Sequence, residues 1–190
     1  WFNLYPLRNQ GGVIVSMVWI ATTTVTSAGS NFINLTSIPQ TFTHLQLRAF
    51  AKTNSGTVST FYNYINGDST ADRSSAHWLY GNGSSVISGG AASSGSAYSY
   101  ILAAPQQSTA PNVFASIISD ILDYSNTSKN TTVRTIGGWD ANGSGTVELS
   151  SGAYYLTNAV TSLTLACDGG FAVGTRFDLY GITSSQVTGA

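Results

Sequence analysis

The sequence predicts an all-β protein, an antiparallel β-sandwich preceded by an extended N-terminal arm, and three observations predict it. Short runs of alternating apolar and polar residues recur at intervals of roughly 8 to 15 residues, separated by Gly, Asn, Asp and Pro clusters. No stretch carries the period of an amphipathic helix. Two ribbons of like pattern, residues 43–51 and 174–182, lie far apart in the chain and suggest a sheet closed by long-range pairing.

Composition sets the bounds. A chain of 190 residues fits one domain and buries roughly 70% of the surface its unfolded form exposes. Only 8% of the residues are charged, against roughly 25% in an average globular protein, so solubility rests on Ser, Thr, Asn, Gln and Gly. With 12% aromatics and a net charge of -1 the chain is not of disordered type. A pI near 6.0 leaves no basic stripe for phosphates, which excludes nucleic acid as a partner. The single cysteine, Cys167, excludes an intrachain disulfide framework and any multi-cysteine metal site. It shares a strand face with Leu163 and Leu165 and reads as a buried thiol. Residues 13–20 are the most apolar run but fall short of the ~20 residues of a membrane span, so they read as a strand. Neither a charged leader nor a small-residue cleavage site marks them as a signal peptide. The chain starts at Trp1 without an initiator Met, as a processed product or a fragment would.

Taken in order, residues 1–12 hold Pro6, Arg8 and Gly11-Gly12 without a clear period and form the arm. Its Trp1, Phe2, Leu4 and Leu7 need a neighbour to bury against, either another subunit or the chain's own domain. Residues 13–190 are one sandwich domain. Residues 13–25 give one or two strands ending in a β-branched Thr run, 27–30 a turn, and 32–35 an edge-like segment stopped at Ile38-Pro39. The ribbon that follows puts Thr43, Leu45, Leu47, Ala49 and Ala51 on one face and Phe42, His44, Gln46, Arg48 and Phe50 on the other. That second face is too aromatic for plain solvent and is expected to be covered by a neighbouring subunit or a long loop.

Residues 53–56 are expected to make a hairpin loop into the strand 57–65, which ends at the turn Asn66-Gly67-Asp68. Residues 69–95 lack regularity, and the Gly/Ser-rich run 84–96 is expected as a surface loop. Strands follow at 97–102 and, after a loop at 105–111, at 112–123, where apolar residues on both faces imply a central position. Residues 131–136 form a strand ending at Gly137-Gly138, and 140–145 turn the chain into 146–149. Residues 160–167 and 175–182 complete the sheet.

Several stretches, Phe42-Thr43-His44-Leu45-Gln46-Leu47-Arg48, Asn66-Gly67-Asp68, His77-Trp78-Leu79-Tyr80-Gly81-Asn82-Gly83, Ile121-Leu122-Asp123-Tyr124 and Phe177-Asp178-Leu179-Tyr180-Gly181-Ile182, resemble a group of structural proteins of tailed, mainly marine, bacteriophages. The resemblance covers residues 32–182. It implies a sandwich of jelly-roll type on the virion surface, assembled in the host cytoplasm as a capsid decoration or fibre-type component. Its implied partners are other virion proteins of capsid or tail and further copies of itself. It brings no catalytic residues with it.

The residues themselves point the same way. Asp140-Ala141-Asn142-Gly143-Ser144-Gly145 starts like a calcium loop, but the twelfth position is Ser151 rather than a bidentate Glu, and Asn-Gly favours a tight hairpin. Asp120 and Asp123 point to opposite faces of a strand. Asp68 and Asp72 read as turn caps or a loop ion pair with Arg73. His44 and His77 read as packed, hydrogen-bonded side chains. No nucleophile elbow, P-loop or metal-spaced His pair is present. The expectation is a non-enzyme without cofactor or metal. Trp78, Tyr80, Tyr98, Tyr100, Tyr154 and Tyr155 lie in or beside loops, where they cap the sandwich or serve sugar stacking and protein interfaces. The alternative reading is thus a carbohydrate-binding adhesin that contacts a host-surface glycan through Trp78 and Tyr80. Five Asn-x-Ser/Thr sequons, at Asn34, Asn82, Asn126, Asn130 and Asn142, fall in Ser/Thr/Asn-rich turns.

Overall fold

The structure, a computed structural model, describes residues 17–57, 59–91, 99–104 and 112–183. Its strands are β1 (Met17–Thr24), β2 (Ser30–Leu35), β3 (His44–Ala51), β4 (Ser59–Ile65), β5 (Ser74–Gly81), β6 (Val86–Ala91), β7 (Ser99–Ala104), β8 (Ala115–Leu122), β9 (Thr131–Asp140), β10 (Gly145–Tyr154), β11 (Leu163–Phe171) and β12 (Arg176–Ile182). All pairings are antiparallel, in an eight-stranded sheet of order β1-β12-β3-β8-β9-β10-β5-β6 and a four-stranded sheet of order β2-β11-β4-β7.

With the hairpins β5–β6 and β9–β10 set aside, the remaining strands give β1-β12-β3-β8 packed on β2-β11-β4-β7. That order is the double Greek key of a jelly roll. The two hairpins are insertions that widen one of its sheets by four strands. The two ribbons of like pattern are direct neighbours, from Phe50 opposite Arg176 to His44 opposite Ile182.

Strict alternation sends Leu45, Leu47, Ala49 and Ala51 of β3 inward, with Phe177 and Leu179 of β12 and Ala115, Ile117 and Ile121 of β8. They meet Ile33 and Leu35, Phe61 and Ile65, and Leu163 and Leu165 of the small sheet. Phe171 bridges the layers edge-on, its ring centroid 5.1 Å from Phe61 and 5.3 Å from Phe177, and each such pair adds about 0.5–1.5 kcal/mol beyond area burial. Cys167 is buried beside them as expected, and burial foremost raises its thiol pKa. Tyr124, fully buried, donates its hydroxyl to the Pro39 carbonyl and accepts the Phe42 amide at 3.4 Å, which pins the approach to β3.

Some expectations change. Residues 53–56 are not a hairpin loop, because β3 and β4 belong to different sheets. The chain arches between the layers, held by a bridge from Thr53 to Phe171 and by Thr53 Oγ1 donating to Gly170 O at 3.2 Å. The irregular stretch contains the hairpin β5–β6, and part of its Gly/Ser run is strand. Glycine serves pairing there: a Cβ at Gly89 would lie 2.6 Å from the Trp78 ring. β9 continues through Gly137 and Gly138, which are paired on both sides, with β8 and with β10. A Cβ at Gly138 would fall 2.3 Å from the Thr146 carbonyl oxygen, so only glycine admits this backbone approach. The arm at 1–12 and the loop at 105–111 lie outside the described residues.

Candidate functional site

The outer face of the eight-stranded sheet has no second layer from the described residues, so its side chains would be polar by the ordinary logic of an antiparallel sheet. Register places Ile118 beside Ile136, Ile136 beside Leu149, and Leu149 beside Leu79 on four successive strands. All four are exposed, by 39%, 55%, 48% and 47%. Strand spacing makes this an apolar row about 14 Å long. Exposed Phe50, Val147 and Val86 run alongside it on the same face.

The charges on this face are tied to one another. Arg176 holds Asp178 at 2.9 Å, Arg134 reaches Asp120 at 3.3 Å, and Gln46 Nε2 donates to Asp120 at 2.9 Å. Arg48 donates to Gln46 at 2.8 Å with its guanidinium 5.5 Å from the Tyr180 ring centre. Burial alone would raise the Asp178 pKa, but the Arg176 and Thr22 hydrogen bonds leave it lowered.

The face expected to be covered is therefore split. Phe42 leaves it, because the alternation begins only at His44, and the Phe42 ring packs half-buried on Gly181 against the core. Phe50 stays on it and is exposed within this chain. His44 is hydrogen-bonded as expected, its Nδ1 accepting the Asp123 amide at 2.9 Å. His77 is not packed but exposed on the outer face, opposite Ser151 of β10.

Trp78 and Tyr80 do not sit in a loop. Trp78 lies within β5 and Tyr80 at its next-to-last position, beside the hairpin tip, both half-buried on its inward side, with the Trp78 ring laid over Gly89. Trp1, Phe2, Leu4 and Leu7 lie outside the described residues. Tyr154 is buried and donates its hydroxyl to Asp68 at 2.9 Å, while Asp68 caps the Thr70 amide at 2.9 Å. The Thr70 hydrogen bonds lead in lowering the Asp68 pKa, and burial followed by Asp68 pushes Tyr154 up to about 12.

A cleft of about 580 Å³ opens between the tips of the two inserted hairpins. One tip is an Asx turn in which Asn82 Oδ1 accepts the Ser84 and Ser85 amides at 3.1 and 2.9 Å. The other is the expected Asn-Gly hairpin, closed by the Ala141 amide donating to Ser144 O at 2.8 Å with Asn142 and Gly143 at positive φ. Trp139 and Thr146, cross-strand partners at its base, line the cleft. Trp139 Nε1 and Thr146 Oγ1 are both shielded from solvent and bonded to nothing. Asp140 Oδ1 accepts the Asn142 amide at 2.7 Å. Among the described residues no three His, Cys, Asp or Glu side chains gather as metal ligands, and no helix is long and apolar enough to cross a membrane.

No family model, curated protein or solved structure matches this chain. The geometry alone therefore nominates residues that sequence reasoning assigned to no site: the row Ile118, Ile136, Leu149 and Leu79, and Trp139 and Thr146 beside Asp140, which the sequence offered only as the start of a calcium-loop lookalike. Outward apolar positions on successive strands signal the row once the register is known. The trio's signal is weaker: an aromatic and an acid directly after a Gly pair, read as the end of a strand.

Proposed function

We propose that this chain is a non-enzymatic structural protein of a bacteriophage virion exterior that assembles with copies of itself through the outer face of its large sheet. The apolar row across β8, β9, β10 and β5 carries the reading, and the resemblance over residues 32–182 supports the virion setting. The row's centre lies between β9 and β10. A two-fold axis along the strands at that point lays the row on itself, Ile136 over Leu149 and Ile118 over Leu79, and brings Phe50 over Val86. The same operation sets Asp120 opposite His77 and Arg48 opposite Ser88, so no like charges meet. Sheets packed in this aligned way sit about 10 Å apart.

The magnitude is modest. Those six side chains from each copy, already partly covered, gain about 1 kcal/mol apiece on burial, on the order of 10 kcal/mol in all. Association costs about 4–15 kcal/mol. The balance is a weak dimer in solution, strengthened when many copies are held on one particle. Light scattering across a concentration series is expected to show a reversible dimer, and Leu149→Asp, at the centre of the row, to abolish it while leaving the β-sheet circular dichroism intact. A parent protein that stays monomeric at high concentration, or is missing from purified particles, refutes the proposal.

A further inference from the structure

We infer that Trp19, Tyr180 and Arg48, on the outer face of the large sheet at its β1 edge, form a platform for an acidic sugar, whose pyranose ring stacks on the Trp19 indole while Arg48 holds its carboxylate. β1 is an edge strand with a bulge between Trp19 and Ala21. Residues three apart on a regular strand point to opposite faces, and the extra residue brings Trp19 and Thr22 to the same one. There Trp19 Nε1 donates to Thr22 Oγ1 at 2.9 Å, Thr22 donates to Asp178, and Arg176 grips that carboxylate through Nε and Nη2. The indole is thus held by its polar end and is still 61% exposed. A large aromatic fixed in orientation and open at the surface loses little freedom when a ligand stacks on it.

The charge beside it narrows the ligand. Tyr180 lies directly opposite Trp19, and the Arg48 guanidinium stands 5.5 Å from the centre of the Tyr180 ring. That places the cation roughly one strand spacing, about 4.8 Å, to the side of Trp19, within reach of a carboxylate borne by a ring on the indole. Arg48 Nε donates to Gln46 at 2.8 Å and Nη2 approaches the weak acceptor Met17 Sδ at 3.9 Å, while among the described residues no carboxylate pairs with it. The neighbouring Asp120 and Asp178 are engaged with Arg134 and Arg176. A guanidinium with donors left over matches a carboxylate in shape and charge. A neutral sugar would leave Arg48 unused, and a polyanion such as nucleic acid would bring further charges against Asp120 and Asp178. The two-fold contact proposed above ends at β3, so β12 and β1 stay clear of it.

The test is a titration of the full chain with the methyl pyranosides of glucuronic and galacturonic acid, with methyl glucoside and acetate for comparison, read by saturation-transfer NMR and tryptophan fluorescence. At least one uronide is expected to bind saturably, about fivefold more tightly than the glucoside, with the advantage shrinking in high salt. Trp19→Ala is expected to abolish binding of every sugar, and Arg48→Gln to bring the uronide down to the level of the glucoside while leaving the glucoside unchanged. Both side chains are exposed, and circular dichroism verifies that each variant is folded. Absence of saturable binding by either uronide, uronide binding no tighter than glucoside or acetate, or binding indifferent to Trp19→Ala overturns the inference. Leu149→Asp separates this result from assembly: the monomeric variant binds as the parent does.

Discussion

At the scale of single residues, Tyr154 and Asp68 form the contact with the clearest energetic signature. The buried tyrosine ends β10 and ties it to the turn after β4 through a 2.9 Å bond to the Asp68 carboxylate. A hydrogen bond to a charged group contributes about 1.5–3 kcal/mol, so Tyr154→Phe is expected to lower unfolding free energy by that amount at pH 7, measured by urea titration. The pH dependence follows from the raised phenol. Unfolded Tyr154 ionises near 10.0 and the folded residue at about 12. Its contribution is fully present below pH 10 and is lost as pH climbs through that window, because the unfolded chain releases its proton first. Tyr154→Phe should therefore show a shallower loss of stability between pH 10 and 12 than the parent; equal slopes would mean that the residue does not titrate as the bond requires. Asp68 works in the opposite sense, its lowered pKa giving stability that disappears as pH falls through the folded value. Cys167 supplies a second readout at this scale. Buried and with a raised pKa, it should react with an aromatic disulfide reagent only as fast as the protein opens, so rapid stoichiometric labelling of the native chain would contradict its burial.

At the scale of elements, the hairpin β5–β6 depends on glycines that seat its neighbours' side chains. Gly89→Ala puts a Cβ 2.6 Å from the Trp78 ring, whereas a Cβ at Gly56 meets nothing within 4 Å. Overpacking of this kind costs about 1–3 kcal/mol. Gly89→Ala is expected to lower the melting temperature and red-shift tryptophan emission, with Gly56→Ala silent in both; an unchanged spectrum in Gly89→Ala would remove Trp78 from its place over β6. The same glycines explain what could be read from the chain alone. β3 and β12 were legible because Leu45, Leu47 and Ala49, and Phe177 and Leu179, alternate without interruption and share one inner face. β6 was not, since Val86-Ile87 is enclosed by Gly and Ser on both sides and that run reads as a loop until β5 offers it an edge. Gly137-Gly138 misled in the same way, ending β9 on paper three residues before Trp139 and Asp140 could be placed on a hairpin wall. The apolar row was hidden for another reason. Ile117 and Ile118 are indistinguishable by type, and only the position of the small sheet decides that the first is buried and the second faces out.

At the scale of the whole molecule, insertion of two hairpins makes the large sheet twice as wide as its partner and carries the apolar row with it, three of the row's four residues lying on the inserted strands. A plain jelly roll would end the large sheet at β8, leaving Ile118 alone. Width therefore supplies the proposed assembly face, and the two-fold arrangement proposed for it would have an electrostatic consequence independent of the apolar contacts. In that arrangement Asp120, flanked within its own chain by Arg134 and Gln46, would stand opposite His77 of the other copy. His77 is exposed, and its β-sheet neighbours are the uncharged Ser151 and Gly90, so substitutions there change the charge without breaking an internal pair. Placing a permanent cation there with His77→Lys should tighten the dimer, and His77→Asp, which sets two carboxylates face to face, should loosen it. Each shift is expected to be about twofold to fivefold, the scale of a rim ion pair, and to shrink in high salt as partly exposed charges are screened. Sedimentation equilibrium at low and high salt measures both. Shifts of the same sign in the two variants, or none, would place the two-fold axis elsewhere than between β9 and β10.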